Sequence, residues 1–121
     1  MASNDFVSVT IVTYNSGRFI KRCLESVMEQ KYARMEIIVI DNASTDGTDE
    51  LARKLIADWP RAMFLPTGGD HGFGVACNRA AERATGRYLF FLNPDLWIEP
   101  DCLQQLFETA ERAQAAAVGG T

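Results

Sequence analysis

Apolar residues along this chain follow two alternating rhythms. Phe6-Val7-Ser8-Val9-Thr10-Ile11-Val12-Thr13 is dense in β-branched residues and reads as a strand, closed by the turn residues Asn15-Ser16-Gly17. The period then lengthens. Phe19, Ile20, Cys23, Leu24, Val27 and Met28 recur at helical spacing between charged residues, predicting an amphipathic helix over 18–30. Glu36-Ile37-Ile38-Val39-Ile40-Asp41 is apolar on both faces, as a buried parallel strand is. Ser44-Thr45-Asp46-Gly47 supplies helix caps, and Leu51, Leu55, Ile56 and Trp59 form the stripe of a second helix ending before Pro60. Ala62-Met63-Phe64-Leu65 is a third, weaker strand. The glycine-rich loop 67–74 leads into a small-residue helix over 75–85, which Gly86 should stop in a left-handed conformation. Arg87–Leu92 is a fourth strand, and Pro100 opens a fourth helix running to Gln114. Phe19, Leu24, Trp59 and Phe107 are expected in the core.

This β-α-β-α-β-α-β-α order predicts an α/β domain, Rossmann-like in its alternation, with a mainly parallel sheet flanked by helices. Ligands of such sheets bind beyond the carboxyl ends of the strands. Three polar clusters fall at those ends: Thr13-Tyr14-Asn15, Asp41-Asn42 and Asn93-Pro94-Asp95. The final run Ala115–Thr121 reads as the start of a fifth strand, so the chain is expected to be a truncated part of a longer domain.

At 121 residues, one domain with a single core is expected. A formal net charge of -4 argues against nucleic acid as a partner, because non-specific binding there needs a basic surface. No apolar run approaches the roughly 20 residues that span a bilayer, and 1–5 lack the basic start of a secretory leader, so the protein is expected in the cytoplasm. Cys23, Cys77 and Cys102 are far apart and read as buried, reduced thiols.

The chemistry narrows by elimination. Tyr14-Asn15-Ser16-Gly17 stands where a dinucleotide fold places G-x-G-x-x-G, and no P-loop motif is present. The loop starting at Asn42 imitates a calcium loop until its twelfth position, which is Arg53 where a bidentate Glu is needed. His71 has no serine or cysteine partner in a nucleophile elbow. Carboxylates at strand ends remain. Asp95 suits a hard cation that arrives with a diphosphate, or closes an ordinary Asn-Pro-Asp turn. Asp41 suits a base N–H or ribose hydroxyl, or a turn with Asn42 and Ser44. Asn78, on the helix after the glycine loop, either faces a ligand or is an ordinary solvent-facing amide.

Four blocks in order, VSVTIVTYNSGRFIKRCLESVMEQ, EIIVIDNASTDGTDE, GFGVACNRAAERATGRYLFFLNPD and the helix after them, resemble the GT-A fold glycosyltransferases of family 2. The resemblance implies a nucleotide-diphosphate-sugar-binding domain over 1–121, the N-terminal half of an inverting enzyme that moves a sugar from its donor to an acceptor hydroxyl. It places Thr13, Tyr14, Asn15, Asp41, Asn42 and Asn78 around the nucleotide, and Asn93 and Asp95 at the family's D-x-D metal position, with Mg²⁺ or Mn²⁺ as cofactor. The first acid is Asn here, which makes Asp95 the metal contact. Cys77 stands where relatives often carry Arg. The N-P-D form resembles the rhamnosyltransferase-like branch, with a UDP- or dTDP-linked sugar as donor and a glycan or lipid-linked acceptor, the protein then lying at the inner membrane face. The catalytic base is implied beyond residue 121, so no catalytic residue is assigned. The alternative is a non-catalytic nucleotide-binding or interaction module. An uncovered sheet edge predicts self-association.

Overall fold

The computed structural model describes residues 5–69 and 71–113. Asp70, Gln114 and the expected fifth strand over 115–121 lie outside the described residues. Strands β1 (Val7–Thr13), β2 (Met35–Asp41), β3 (Ala62–Pro66) and β4 (Tyr88–Phe91) alternate with helices α1 (Ile20–Met28), α2 (Thr48–Ile56), α3 (Phe73–Arg83) and α4 (Cys102–Ala113). All strand pairs are parallel, in the order β3-β2-β1-β4. The expected α/β architecture is present.

Alternation along the strands divides the core between two faces. Val7, Val9 and Ile11 of β1 join Met35, Ile37 and Val39 of β2 under α1, α2 and the Leu103–Phe107 stretch of α4. On the opposite face Ile38 and Ile40 meet Ala76 and Ala80 of α3, whose small side chains let the helix lie close. Every residue of β2 is buried, as its two-sided apolar pattern requires. Full burial of one such aliphatic side chain contributes about 1.5–3 kcal/mol.

At the amino edge of the sheet a buried carboxylate is fully engaged. Glu36 accepts hydrogen bonds from the Ser8 hydroxyl at 2.6 Å, the Thr85 amide at 2.9 Å and the Thr85 hydroxyl at 3.1 Å. The Gly86 amide in turn donates to the Ser8 hydroxyl at 2.9 Å. This contact corrects the role expected of Gly86. The helix ends without it, through Ala84 in an extended conformation, and Gly86 is not among the left-handed glycines. It is small because a Cβ there would stand 2.6 Å from the Ser8 amide nitrogen.

Two further expectations shift. Phe19 is 46% exposed rather than in the core, since it precedes α1 instead of lying on its buried stripe. Helix α4 begins at Cys102, two residues after Pro100. The cap of α2 falls within the expected run, at Gly47, left-handed at φ 89°, while the Asp46 carboxylate accepts the Thr48 amide at 3.0 Å. Among the described residues no helix is long and apolar enough to cross a membrane.

Candidate functional site

Because β1 lies between β2 and β4, the three polar clusters meet at one carboxyl edge. Strands stand about 4.8 Å apart, so the ends of β2 and β4 are separated by roughly 10 Å.

The β1–β2 corner is built around Asp41, which is 3% exposed. Its Oδ1 accepts the Thr13 hydroxyl at 2.7 Å and the Ser44 hydroxyl at 2.5 Å, and its Oδ2 accepts the Ser44 amide at 2.9 Å. Ser44 can fold back this way because Ala43 takes a left-handed φ of 59°, a conformation that costs a non-glycine residue about 1 kcal/mol. Asn15, also left-handed at φ 49°, links the two loops reciprocally. Its amide donates to the Ser44 hydroxyl at 2.8 Å, and its side-chain oxygen accepts the Thr45 amide at 2.8 Å. Immediately after it, the Ser16 amide donates to the Thr48 hydroxyl at 2.9 Å and the Gly17 amide to the Asp46 carboxylate at 3.1 Å. With the backbone fixed on both sides, Tyr14 projects outward, 54% exposed.

Asn42 points inward from the same strand end. Its amide nitrogen donates to the Gly72 carbonyl at 3.3 Å and its oxygen accepts the Thr67 hydroxyl at 2.9 Å, which braces the glycine loop against β2. Arg79 of α3 donates to the Thr67 carbonyl at 2.9 Å from the other side. Asn78 is exposed on α3, one turn past Gly74.

Beyond β4 the environment changes. The Leu92 amide still joins the sheet, donating to the Thr10 carbonyl at 2.9 Å. A turn follows, with the Leu96 amide donating to the Asn93 carbonyl at 3.1 Å and Pro94 supplying the fixed φ of its second position. Asn93 and Asp95 are exposed, as are Leu96 and Trp97. Beneath the turn, the thiol of Cys23 lies 3.8 Å from the Asn93 carbonyl. Burial, with the Asp95 charge adding to it, pushes that thiol up to about 12. All three cysteines are free; Cys23 is buried, whereas Cys77 and Cys102 are half-buried.

A divalent cation fits this donor set only together with its substrate. No group of three or more His, Cys, Asp or Glu side chains converges among the described residues. One exposed carboxylate beside an amide oxygen matches a hard cation whose other ligands are diphosphate oxygens and water.

Several participants escaped the sequence reading. The turn expected between Asp41 and Ser44 is present, with both Ser44 donors on the carboxylate, and Asp46 takes the Thr48 amide at the start of α2, whereas the Gly17 amide on Asp46 was not foreseen. Thr67, buried between two loops, carried no signal at all.

Residues 8–121 match the sequence family described as Glycosyl transferase family 2. Glycosyltransferase GlyA of Streptococcus pneumoniae is 29% identical over 98% of this chain, which spans 17% of that relative's length. Among solved structures, the Pyrobaculum calidifontis mannosyltransferase PcManGT in complex with GDP-Man and Mn²⁺ is 30% identical, with a TM-score of 0.81 over 86% of this chain and 32% of its own. S. aureus TarS in complex with UDP-GlcNAc is 26% identical, with a TM-score of 0.82 over 91% of this chain and 32% of its own. The chain belongs to glycosyltransferase family 2.

Proposed function

We propose that this chain forms the donor-binding part of an inverting glycosyltransferase, holding a nucleotide-diphosphate sugar across the carboxyl edge of the sheet. The observation that carries the reading is Asp41, a carboxylate buried and oriented by Thr13 and Ser44 beside an exposed Tyr14, one strand across from the exposed Asp95. In this proposal Asp41 meets a base N–H or ribose hydroxyl, and Thr13, Tyr14 and Asn15 shape the base pocket. Asn42 contributes by holding the glycine loop, and Asn78 faces the ligand from α3. Complexes of TarS with UDP-GlcNAc and of PcManGT with GDP-Man and Mn²⁺ support a nucleotide-sugar donor.

Mg²⁺ or Mn²⁺ would be held by Asp95, with Asn93 beside it, and would supply charge neutralisation for the departing diphosphate. The N-P-D form points to the rhamnosyltransferase-like branch and a UDP or dTDP donor. A glycan or lipid-linked hydroxyl is the acceptor, and the protein works in the cytoplasm, at the inner membrane face when that acceptor is lipid-linked. Leu89 and Phe91, 42% and 45% exposed on one face of β4, and the open edge of that strand among the described residues favour self-association there.

Calorimetric titration of UDP and dTDP, with and without Mn²⁺, tests the donor reading. Binding that strengthens with Mn²⁺ in the wild type, and loses that gain in Asp95→Ala, is the expected result. Absence of binding by either nucleotide would remove the proposal. Light scattering across concentrations checks self-association, and a monomer throughout would discard it.

A further inference from the structure

A polar stripe on α1 has no part in the donor contacts above, yet each of its members grips the segment that carries Asp95. Cys23, Ser26 and Gln30 lie at i, i+3 and i+7, on one side of α1 and the turn that ends it. Cys23 directs its thiol at the Asn93 carbonyl, 3.8 Å away. Ser26 donates its hydroxyl to the Cys23 carbonyl at 2.7 Å, and the oriented oxygen accepts the Ile98 amide at 3.1 Å. Gln30, 6% exposed, uses both ends of its amide. Its nitrogen donates to the Glu99 carbonyl at 2.6 Å and its oxygen accepts the Leu103 amide at 3.0 Å, in the first turn of α4.

The segment needs such support. It leaves the sheet at Leu92, has no strand partner among the described residues, and reaches α4 only at Cys102. Its backbone is fixed chiefly by these side chains, by the Lys31 amide donating to the Pro100 carbonyl at 2.7 Å, and by the guanidinium of Arg22, 4.3 Å from the centre of the Trp97 ring. A solitary carboxylate binds a cation well only if its position is set in advance, because no second acid corrects it.

We infer that Ser26 and Gln30 are positioning residues for metal-dependent donor binding: they set the height of the Asn93–Asp95 turn, and hence where Asp95 meets the cation that accompanies the diphosphate. Cys23 seats the turn from below. The inference rests on the donor reading above, and it assigns to α1 a role that neither Asp41 nor the base corner shares.

The test is calorimetric titration of UDP into wild type, Gln30→Ala, Ser26→Ala and Ser26→Thr, each with and without Mn²⁺, alongside thermal melts. Affinity without metal should stay within about twofold of wild type, because the base corner is untouched. The affinity gained from Mn²⁺ should fall about tenfold in Gln30→Ala and by a smaller factor in Ser26→Ala, as when outer-shell partners of a metal ligand are removed. Ser26→Thr, which keeps the hydroxyl, should restore it. A wild type that gains from Mn²⁺, with Gln30→Ala and Ser26→Ala retaining the full gain, would overturn this inference and leave the donor reading standing. Equal loss with and without metal would assign both residues to general stability and overturn it too. A wild type with no Mn²⁺ effect would overturn the metal reading and this inference together. Ser26→Ala, which deletes one oxygen, keeps the test open if Gln30→Ala fails to fold.

Discussion

The two corners of the carboxyl edge are built in opposite ways. At the end of β2, Asp41 is buried and its carboxylate already takes three hydrogen bonds, so the corner is rigid before any ligand arrives. Past β4, Asp95 is exposed on a turn held from beneath by α1, with its carboxylate facing water. A planar base is a fixed shape, and a preorganised pocket recognises it at little ordering cost. A metal diphosphate brings its own ligands and charge, so one open acid is a suitable counterpart. Substitutions at the β2 corner should therefore harm folding, and those past β4 only binding.

Removing each acid in turn should separate the two corners most clearly. Asp41→Ala leaves the Thr13 hydroxyl and both Ser44 donors without their acceptor, and should cost about 2–4 kcal/mol of stability in denaturant titration. Asp95→Ala should stay within about 0.5 kcal/mol of wild type, as an exposed substitution does. Equal destabilisation by the two would erase the distinction. Next in size, Thr13→Val keeps the shape but removes one donor to Asp41, for an expected loss of about 1 kcal/mol and weaker nucleotide binding; unchanged binding would show that Thr13 does not orient the acid.

Ala43→Gly works in the other direction. Glycine takes the left-handed φ of 59° without the Cβ penalty, so melting should move upward by the equivalent of about 0.5–1 kcal/mol. A fall would mean that unfolded-state entropy outweighs the strain relieved. The smallest effect concerns acid. The Thr48 hydroxyl, helped by the Gly17 and Thr48 amides, holds the Asp46 carboxyl below its usual value. A depressed carboxyl contributes stability that is present above its unfolded pKa of about 3.9 and is lost as pH falls through the lower folded value. Asp46→Asn should therefore flatten the acid limb of the stability profile below about pH 4 and leave Asp95 binding at neutral pH unchanged.

Much of this was legible beforehand for a definite reason. Strand and helix periods survive in the sequence because each element buries one face or both, so all eight elements and their parallel arrangement could be read from apolar spacing. The polar clusters at the strand ends stood out because nothing apolar continues past Thr13, Asp41 or Leu92. Asn42 was harder. Its sequence neighbours are those of a ligand-facing amide, and only the approach of Thr67 and Gly72 turns its side chain inward. Gly86 looked like a helix stop because glycine after a helix usually is one, while its actual constraint comes from Ser8, distant in sequence and adjacent in space.

Local period and chemistry set the alternation of elements, the two-sided burial of β2 and the residue types gathered at the strand ends. Tertiary structure decided that β1 lies between β2 and β4, and so that Asp41 and Asp95 share one edge. It also decided that Cys23, Ser26 and Gln30, unremarkable on an amphipathic helix, clasp the turn that carries Asp95. Hydrogen bonds between residues about 70 positions apart leave no periodic trace in the chain, and they exist only once packing has brought the two segments together.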